Sequence, residues 1–447
     1  GLNVLLVSDG HPGGECLWSG CVPSKALIHK AAETKVLNQN AKGLKESSFH
    51  QAMKHMRDSR KQLSHHDSVE TVQATGVKVK LGRATFIDRN VISIDGQLFR
   101  ANKFVIATGA SQRVPDIVGL EQAGYLTHES ILQIEEAPRK IAIIGGGPVG
   151  VEYSQVLIRL GIDVTLIEAN DRILTKEEPE SSAFVANKLQ SENVEVLLST
   201  TLLRVERLDT IKRLKLRREN GQEVEVDCSE ILLASGKTPN TEDLHLGLAG
   251  VELDQRGFIK VDKHQRTSAP HVWACGDVCG GYQFTHYADH AARTAVLNAC
   301  LGLPVKREER VIPWCTFFDP EVAHVGMTEA QAIEKHGKGK IYCLTYKLDE
   351  FDRAVLDEAA HGFIKVIIDK KGKIYGASIV GQRAGELIHE FALAMKHGLS
   401  IKDLGSLIHV YPTMSAAIRN VSNQYYQTVM KNSWQSKIVK LWAACLK

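Results

Sequence analysis

A chain of 447 residues exceeds what one hydrophobic core organises and implies two or three domains. Charged residues make up 24% and nearly balance at +3, which gives no basis for a nucleic-acid or membrane-surface partner, and no apolar run reaches the roughly 18 residues of a membrane span. Nine cysteines, odd in number and scattered, argue against a secreted disulfide framework and point to the cytoplasm, where a persistent disulfide is more often catalytic than structural.

In chain order, Leu2-Asn3-Val4-Leu5-Leu6-Val7 reads as a buried strand ending at Ser8-Asp9. Next comes Gly13-Gly14-Glu15-Cys16-Leu17-Trp18-Ser19-Gly20-Cys21-Val22-Pro23-Ser24-Lys25, with a helix expected from Lys25 to about Glu33. Cys16 and Cys21 are separated by a little more than one helical turn, so a single turn brings the two sulfurs into bonding range. A structural bridge closing so small a loop gains little from chain entropy. A redox bridge explains the spacing better, because at a helix start it opens and closes without unfolding anything, and the helix N-terminus favours a thiolate. Buried free thiols, or half of a metal site, are the alternatives, and no second pair at zinc-finger spacing completes such a site.

Residues 31 to 75 are polar and mostly helical in pattern; within them His65-His66-Asp67 reads as a solvated loop rather than a metal site. Val77 to Ile94 alternates like strands, and Lys103 to Ala110 reads as a buried strand ending in Thr108-Gly109. Arg139 to Glu168 carries the clearest nucleotide signature. A strand, Lys140 to Ile144, runs into Gly145-Gly146-Gly147-Pro148-Val149-Gly150, then a helix, then a second strand ending in Glu168. Gly145 allows the tight turn, Gly147 lets a pyrophosphate approach the backbone, and Gly150 lets helix and strand pack closely. Glu168 can accept both ribose hydroxyls and repels a 2′-phosphate, which favours NADH over NADPH, while Arg172 keeps the NADPH reading open. Residues 190 to 235 alternate as short strands leading to Gly236, and a later strand ends in Gly276-Asp277. Cys275 with Cys279 has the look of a second redox pair, and His286 with His290 has metal-ligand spacing, but no third ligand lies nearby in sequence. From about Lys306 the pattern becomes α+β.

The motif G-G-x-C-x-x-x-x-G-C-x-P-S-K resembles the active-site signature of the flavin-dependent pyridine nucleotide-disulfide oxidoreductases, the class that includes dihydrolipoamide dehydrogenase, glutathione reductase and mercuric reductase. The likeness covers essentially the whole chain. It implies an α/β fold of two doubly wound dinucleotide-binding domains, for FAD and NAD(P), and an α+β dimerisation domain. The divisions it implies are FAD-binding residues 1–137, NAD(P)-binding 138–266, a second FAD-binding part 267–305 and an interface domain 306–447. It further implies hydride transfer from NAD(P)H to FAD and on to a Cys16–Cys21 disulfide, Cys21 lying nearer the flavin and Cys16 meeting the substrate. Gly13, Gly14, Thr108, Gly109, Gly276 and Asp277 fall at FAD-binding positions, Asp277 at the ribityl chain, and Gly236, also a cofactor-binding candidate, at the family's exit from the nucleotide domain. Lys25 is expected to pair with Glu152 beside the flavin, and His286 to stand at a helix start facing the flavin ring. Cys275 and Cys279 fall where the family packs small residues.

Two departures matter. A first strand, glycine turn and helix expected about 30 residues upstream of Leu2 is not seen, and with the start at Gly1 this implies a trimmed N-terminus; weaker FAD binding is then expected of a chain beginning at Gly1, the alternative being a variant that has given up FAD. The family's dimer-completing loop is matched by Ile408-His409-Val410-Tyr411-Pro412-Thr413-Met414-Ser415-Ala416. Dithiol reductases carry His before the Pro-Thr and Glu four residues after the Pro, whereas Tyr411 and Ala416 stand here. A phenol with a pKa near 10 is a poor base. The reading is therefore a homodimer using FAD and NAD(P)H to reduce a metal ion or other small acceptor, mercuric reductase-like, although the terminal cysteine pair of mercuric reductases is replaced by the single Cys445. A dihydrolipoamide dehydrogenase using His409 as base, and a redox-sensing protein without turnover, are the rivals.

Overall fold

The computed structural model describes residues 2–38 and 45–430 together with Trp442 and Cys445, so most of the stretch around Cys445 lies outside the described residues. The chain forms two compact units, Gly1–Asp171 with Glu192–Glu308, and Arg172–Ser191 with Glu309–Lys447.

In the first unit, β1 (Leu5–Ser8) pairs in parallel with β2 (Lys78–Leu81) in a two-stranded sheet, and β3 (Phe104–Ile106) pairs in parallel with β8 (Val272–Ala274). The first strand is shorter than its sequence pattern and is not buried: Leu2 is 64% exposed and Val4 42%. In a two-stranded sheet one edge of β1 stays unpaired and its faces stay open, so apolar composition alone does not bury it. Helix α1 (Gly14–Trp18) carries Cys16, and α2 (Cys21–Asn38) begins at the second cysteine rather than at Lys25. The nucleotide-binding portion has β4 (Lys140–Ile144), α3 (Pro148–Arg159), β5 (Asp163–Ile167), β6 (Glu195–Leu197) and β7 (Glu230–Leu233). Its sheet is parallel throughout, in the order β6-β5-β4-β7. Ile141, Ala142 and Ile143 are wholly buried, as expected of a strand covered on both faces. A three-stranded antiparallel meander over residues 200–228 adds Leu202, Val205, Leu214 and Leu216 to the same core. Helix α5 (Thr285–Leu301) follows the Gly276-Asp277 turn.

The second unit is built on a five-stranded antiparallel sheet of β9 (Pro313–Thr316), β10 (Glu321–Gly326), β11 (Ile341–Lys347), β12 (Phe363–Asp369) and β13 (Ile374–Gly381), ordered β9-β10-β13-β12-β11. Helix α6 (Ala384–His397) places Ile388 and Phe391 in its core. Register aligns Trp314, His324, Ser378 and Lys365 side by side across four strands. Cross-strand neighbours share a face, so one strand-crossing row of polar groups points the same way.

The segment containing α4 (Pro179–Ser191) supplies a hydrogen-bond partner for three of the four members of that row. Glu177 accepts from Trp314 Nε1 at 2.5 Å, Ser181 and Ser378 hydroxyls lie 3.2 Å apart, and Lys365 Nζ donates to Glu178 and Glu180, each at 3.0 Å. Glu329 Oε2 also lies 2.7 Å from Lys365 Nζ. His324 donates from Nε2 to the Gly326 carbonyl at 3.1 Å and stacks on Trp314. Its Nδ1 faces Glu177 Oε2 at 4.0 Å, and neither atom makes a hydrogen bond among the described residues.

Burial, reinforced by the Glu178 charge and opposed by the Trp314 hydrogen bond, pushes Glu177 up to about 7, and burial lowers His324 to about 4, leaving its ring neutral. A carboxyl with a raised folded pKa binds more protons when folded. Its stabilisation is complete below its ordinary value of 4.5 and is lost as pH rises through about 7, at a cost of roughly 3 kcal/mol or less. Glu177→Gln keeps an acceptor for Trp314 without a charge to bury. At pH 8 it should slow amide exchange across residues 172–191, and the difference should vanish near pH 5. Faster exchange in the variant at pH 8 would refute the assignment.

Candidate active site

The two cysteines stand on consecutive helices broken at Ser19-Gly20, whose N–H groups both turn back to the Glu15 carbonyl. The break lets Cys16 and Cys21 hydrogen-bond to each other as free thiols, one holding the proton and the other shedding it. Donation from Cys16 is the largest influence on Cys21. A contact with Thr285 Oγ1 at 3.4 Å and the Lys25 charge add to it, and together they bring Cys21 down to about 6 despite partial burial. Cys16 moves far in the other direction, first through its hydrogen bond to Cys21, then through burial and the nearby Asp67 carboxylate. Two thiols alike in sequence thus become a thiolate and a protonated thiol, with the thiolate on the first residue of an 18-residue helix.

One turn along α2, Lys25 Nζ meets Glu152 Oε2 at 2.9 Å, the pair expected from the sequence. Glu152 lies on the first turns of α3, directly after the glycine loop, and is buried. In that loop a Cβ on Gly145 would strike the Ala234 carbonyl oxygen at 2.5 Å, and one on Gly150 would overlap the Gly145 carbonyl, whereas Gly147 faces open space. The three glycines therefore serve a tight turn, a close packing and an open approach. Glu168 accepts from the Gly146 N–H at 2.6 Å and from the Asn170 N–H at 2.8 Å, which fixes its carboxylate beside the loop. Arg172 spends its guanidinium on the Glu177 and Thr175 carbonyls of its own segment.

At Thr108, expected from the sequence to lie beside FAD, Oγ1 donates to the Asn240 carbonyl and Asn240 Nδ2 donates back to the Thr108 carbonyl. A Cβ at Gly14, Gly109 or Gly236 would meet nothing within 4 Å, and one at Gly13 would crowd Leu17. Gly276 has a positive φ and precedes Asp277, whose Oδ2 accepts from Lys237 at 2.9 Å while Oδ1 makes no hydrogen bond among the described residues. Open glycine faces and a half-satisfied carboxylate are compatible with a flavin nucleotide there.

Other candidates separate from this cluster. His286 is exposed and stacks on Phe284, and His290 Nε2 accepts from the Glu308 N–H at 2.9 Å. The His65 and His66 rings lie against each other at the surface, tilted by 38°. No group of three or more metal-ligating side chains occurs among the described residues. Burial holds Cys275 up at about 11 and Cys279 at about 12, so neither forms a thiolate at neutral pH. In the second unit, Tyr411 is exposed and donates to Asp352 Oδ2 at 2.7 Å, while the His409 ring is held between Glu390 Oε1 at 3.1 Å and the Leu407 carbonyl at 3.2 Å. Sequence reading missed Glu15, Thr285 and Lys237, although Glu15 lies inside the cysteine motif and Thr285 opens a helix that the motif order already places.

Comparison with known proteins gives these features a family. Residues 1–292 match the pyridine nucleotide-disulphide oxidoreductase model, and residues 312–422 match the dimerisation domain of the same enzymes. The chain belongs to this family of flavin-dependent oxidoreductases, whose members use FAD and NAD(P)H. It is 33% identical to a mercuric reductase of Bacillus cereus over 423 residues, 93% of this chain but 66% of that protein. It is 30% identical to a dihydrolipoyl dehydrogenase of Bacillus subtilis over 429 residues, 94% of this chain and 92% of that one. Among solved structures, the HOCl-induced flavoprotein disulfide reductase RclA of Escherichia coli, in its Cu(II) complex, superposes with a TM-score of 0.84 at 28% identity, covering 94% of both chains.

The thiol arrangement makes a direct prediction. Cys21 should be alkylated at pH 7 well ahead of Cys16, with a rate profile that titrates near pH 6. Cys16→Ser and Thr285→Val should each move that profile upward. A Cys21 profile unmoved in both variants would rule out the hydrogen-bonded origin of the thiolate.

Proposed function

We propose that the protein is a homodimeric, FAD-dependent NADH oxidoreductase of the cytoplasm. In this reading Cys16 and Cys21 pass an electron pair to a soft metal ion, as in mercuric reductase. The observation that carries it is the state of the dimer-completing loop. A reductase of small disulfides protonates a departing thiolate, and such help is typically worth about 10²–10⁴ in rate. Tyr411 is committed to Asp352, whose hydrogen bond raises its pKa further, and the His409 side chain is only 4% exposed and paired with Glu390 of its own chain. A phenol is a poor base and a buried imidazole is poorly placed to reach a substrate, which disfavours the dihydrolipoamide dehydrogenase reading. An acceptor that needs no proton fits better, and two cysteine sulfurs are suitable ligands for a soft metal. That RclA was solved as a Cu(II) complex supports a metal among the acceptors of this fold.

FAD, where bound, supplies two-electron transfer between the nicotinamide and the dithiol. Around it, Lys25 and Glu152 hold opposite charges at the cysteine helix, and Gly147 admits the dinucleotide pyrophosphate, with Glu168 on the ribose. Cys21 stands nearer the flavin positions and Cys16 faces the acceptor. As a divalent ion takes two electrons, the Cys16 and Cys21 sulfurs would join in a disulfide and the one proton still held, on Cys16, would be released.

NADH oxidation should be driven by thiol-complexed mercury and abolished by Cys16→Ser or Cys21→Ser. Efficient turnover with lipoamide or oxidised glutathione would overturn the metal reading, and quinone turnover surviving both substitutions would mean electrons leave without the dithiol. Glu168→Ala should narrow the preference for NADH over NADPH, and a native preference for NADPH would show the turn to be misread.

A further inference from the structure

Within the cysteine motif, Glu15 occupies the position between Gly14 and Cys16 and reaches across the first unit to Lys237. Both of its oxygens accept from Lys237 Nζ, at 2.7 and 2.5 Å, and the same ammonium donates to Asp277 Oδ2 at 2.9 Å. The buried His128 adds Nε2 at 3.1 Å from Glu15 Oε1. Three distant segments converge on one cation: the redox loop, the strand Lys237–Pro239 and the turn carrying Asp277. Burial would raise Glu15, but His128 and Lys237 hold it below the usual carboxylate range; burial would lower Lys237, and its two carboxylate partners raise it instead.

A partly buried charge cluster of this kind gains little stability over an apolar replacement, because desolvation offsets the attraction. It does fix direction. With Oδ2 held by Lys237, the Asp277 carboxylate keeps one orientation and presents its other oxygen with no hydrogen bond among the described residues. We infer that Glu15 and Lys237 form a positioning couple for the flavin nucleotide: Glu15 anchors Lys237, and Lys237 sets the Asp277 carboxylate toward the ribityl hydroxyls. The inference rests on the assignment of Asp277 as the ribityl ligand. It also ties that ligand to the residue adjoining Cys16, so that the redox loop and the cofactor share one anchor.

The test is the dissociation constant of FAD, read from flavin absorbance and fluorescence on the full chain across pH 5.5–8.5. Asp277→Asn should weaken FAD binding at every pH. Lys237→Met leaves the Glu15 and Asp277 carboxylates without their shared cation, Glu15 keeping only His128, which itself also faces Glu129, and the excess negative charge favours proton uptake by a carboxylate or by His128; FAD binding should weaken about tenfold or more at pH 8, as expected for loss of a charged hydrogen bond, and recover as pH falls. Lys237→Arg should stay within about threefold of the native protein, and Glu15→Gln in the Lys237→Met background should recover part of the loss, because contacting residues are not additive. A purely structural cluster would give losses independent of pH and no recovery in the double variant, and that result overturns the inference. If Lys237→Met does not fold, Glu15→Gln alone decides: a several-fold rise in the dissociation constant supports the couple, and an unchanged value sinks it. Native FAD affinity in Asp277→Asn would instead remove the ribityl assignment, whereas loss there with none in Lys237→Met removes the couple alone.

Discussion

The chemistry of this protein depends on one shared proton. Cys16 and Cys21 are near-identical groups in sequence, yet the hydrogen bond between them lets only one ionise, and the surroundings decide which. Lys25 favours charge on Cys21 and Asp67 opposes it on Cys16, while the Thr285 hydroxyl lowers both thiols, so the thiolate settles at the start of α2. The break after Trp18 makes this possible, and it corrects the expectation that one helical turn would bring the sulfurs together. One continuous helix would place residues five apart about 500° around the axis, well off a shared face.

The first unit uses charge pairs to tie this centre to the nucleotide machinery. Lys25–Glu152 joins the cysteine helix to the helix of the glycine loop, and Glu15–Lys237–Asp277 joins the cysteine loop to the Gly-Asp turn. Both connect segments far apart in sequence, and both leave a carboxylate beside a position where glycines keep space open. In the second unit the same device recurs with a buried cation: Lys365 is gathered among Glu178, Glu180 and Glu329. Ion pairs of this depth are poor sources of net stability; their value is that they specify where α4 lies on its sheet.

Much of this is legible in the sequence, for local reasons. The Gly145–Gly150 turn is readable because each glycine answers a separate steric demand, and the Lys25–Glu152 pair because both residues sit at fixed offsets from recognisable motifs. What stays hidden is made by register and long-range convergence. Nothing in the local sequence aligns Trp314 with His324, Ser378 and Lys365; strand pairing does. Glu15 is visible but mute, since its meaning comes from Lys237 more than two hundred residues away. The opening strand misleads in the opposite way. Its apolar run reads as buried, but burial is granted by neighbours, and a two-stranded pairing leaves Leu2 and Val4 exposed. At the substrate end, Tyr411 reads from the outset as a poor base, whereas the burial of His409 beside Glu390 becomes visible only in the fold.

The central claim is that electrons from NADH come to rest on Cys16 and Cys21. It is tested most directly by anaerobic addition of one equivalent of NADH to the oxidised, FAD-loaded protein, followed by alkylation and mass analysis of all nine cysteines. The account predicts that two thiols appear per NADH consumed, at Cys16 and Cys21, with the other seven unchanged. NADH consumption without new thiols at those two positions would contradict it.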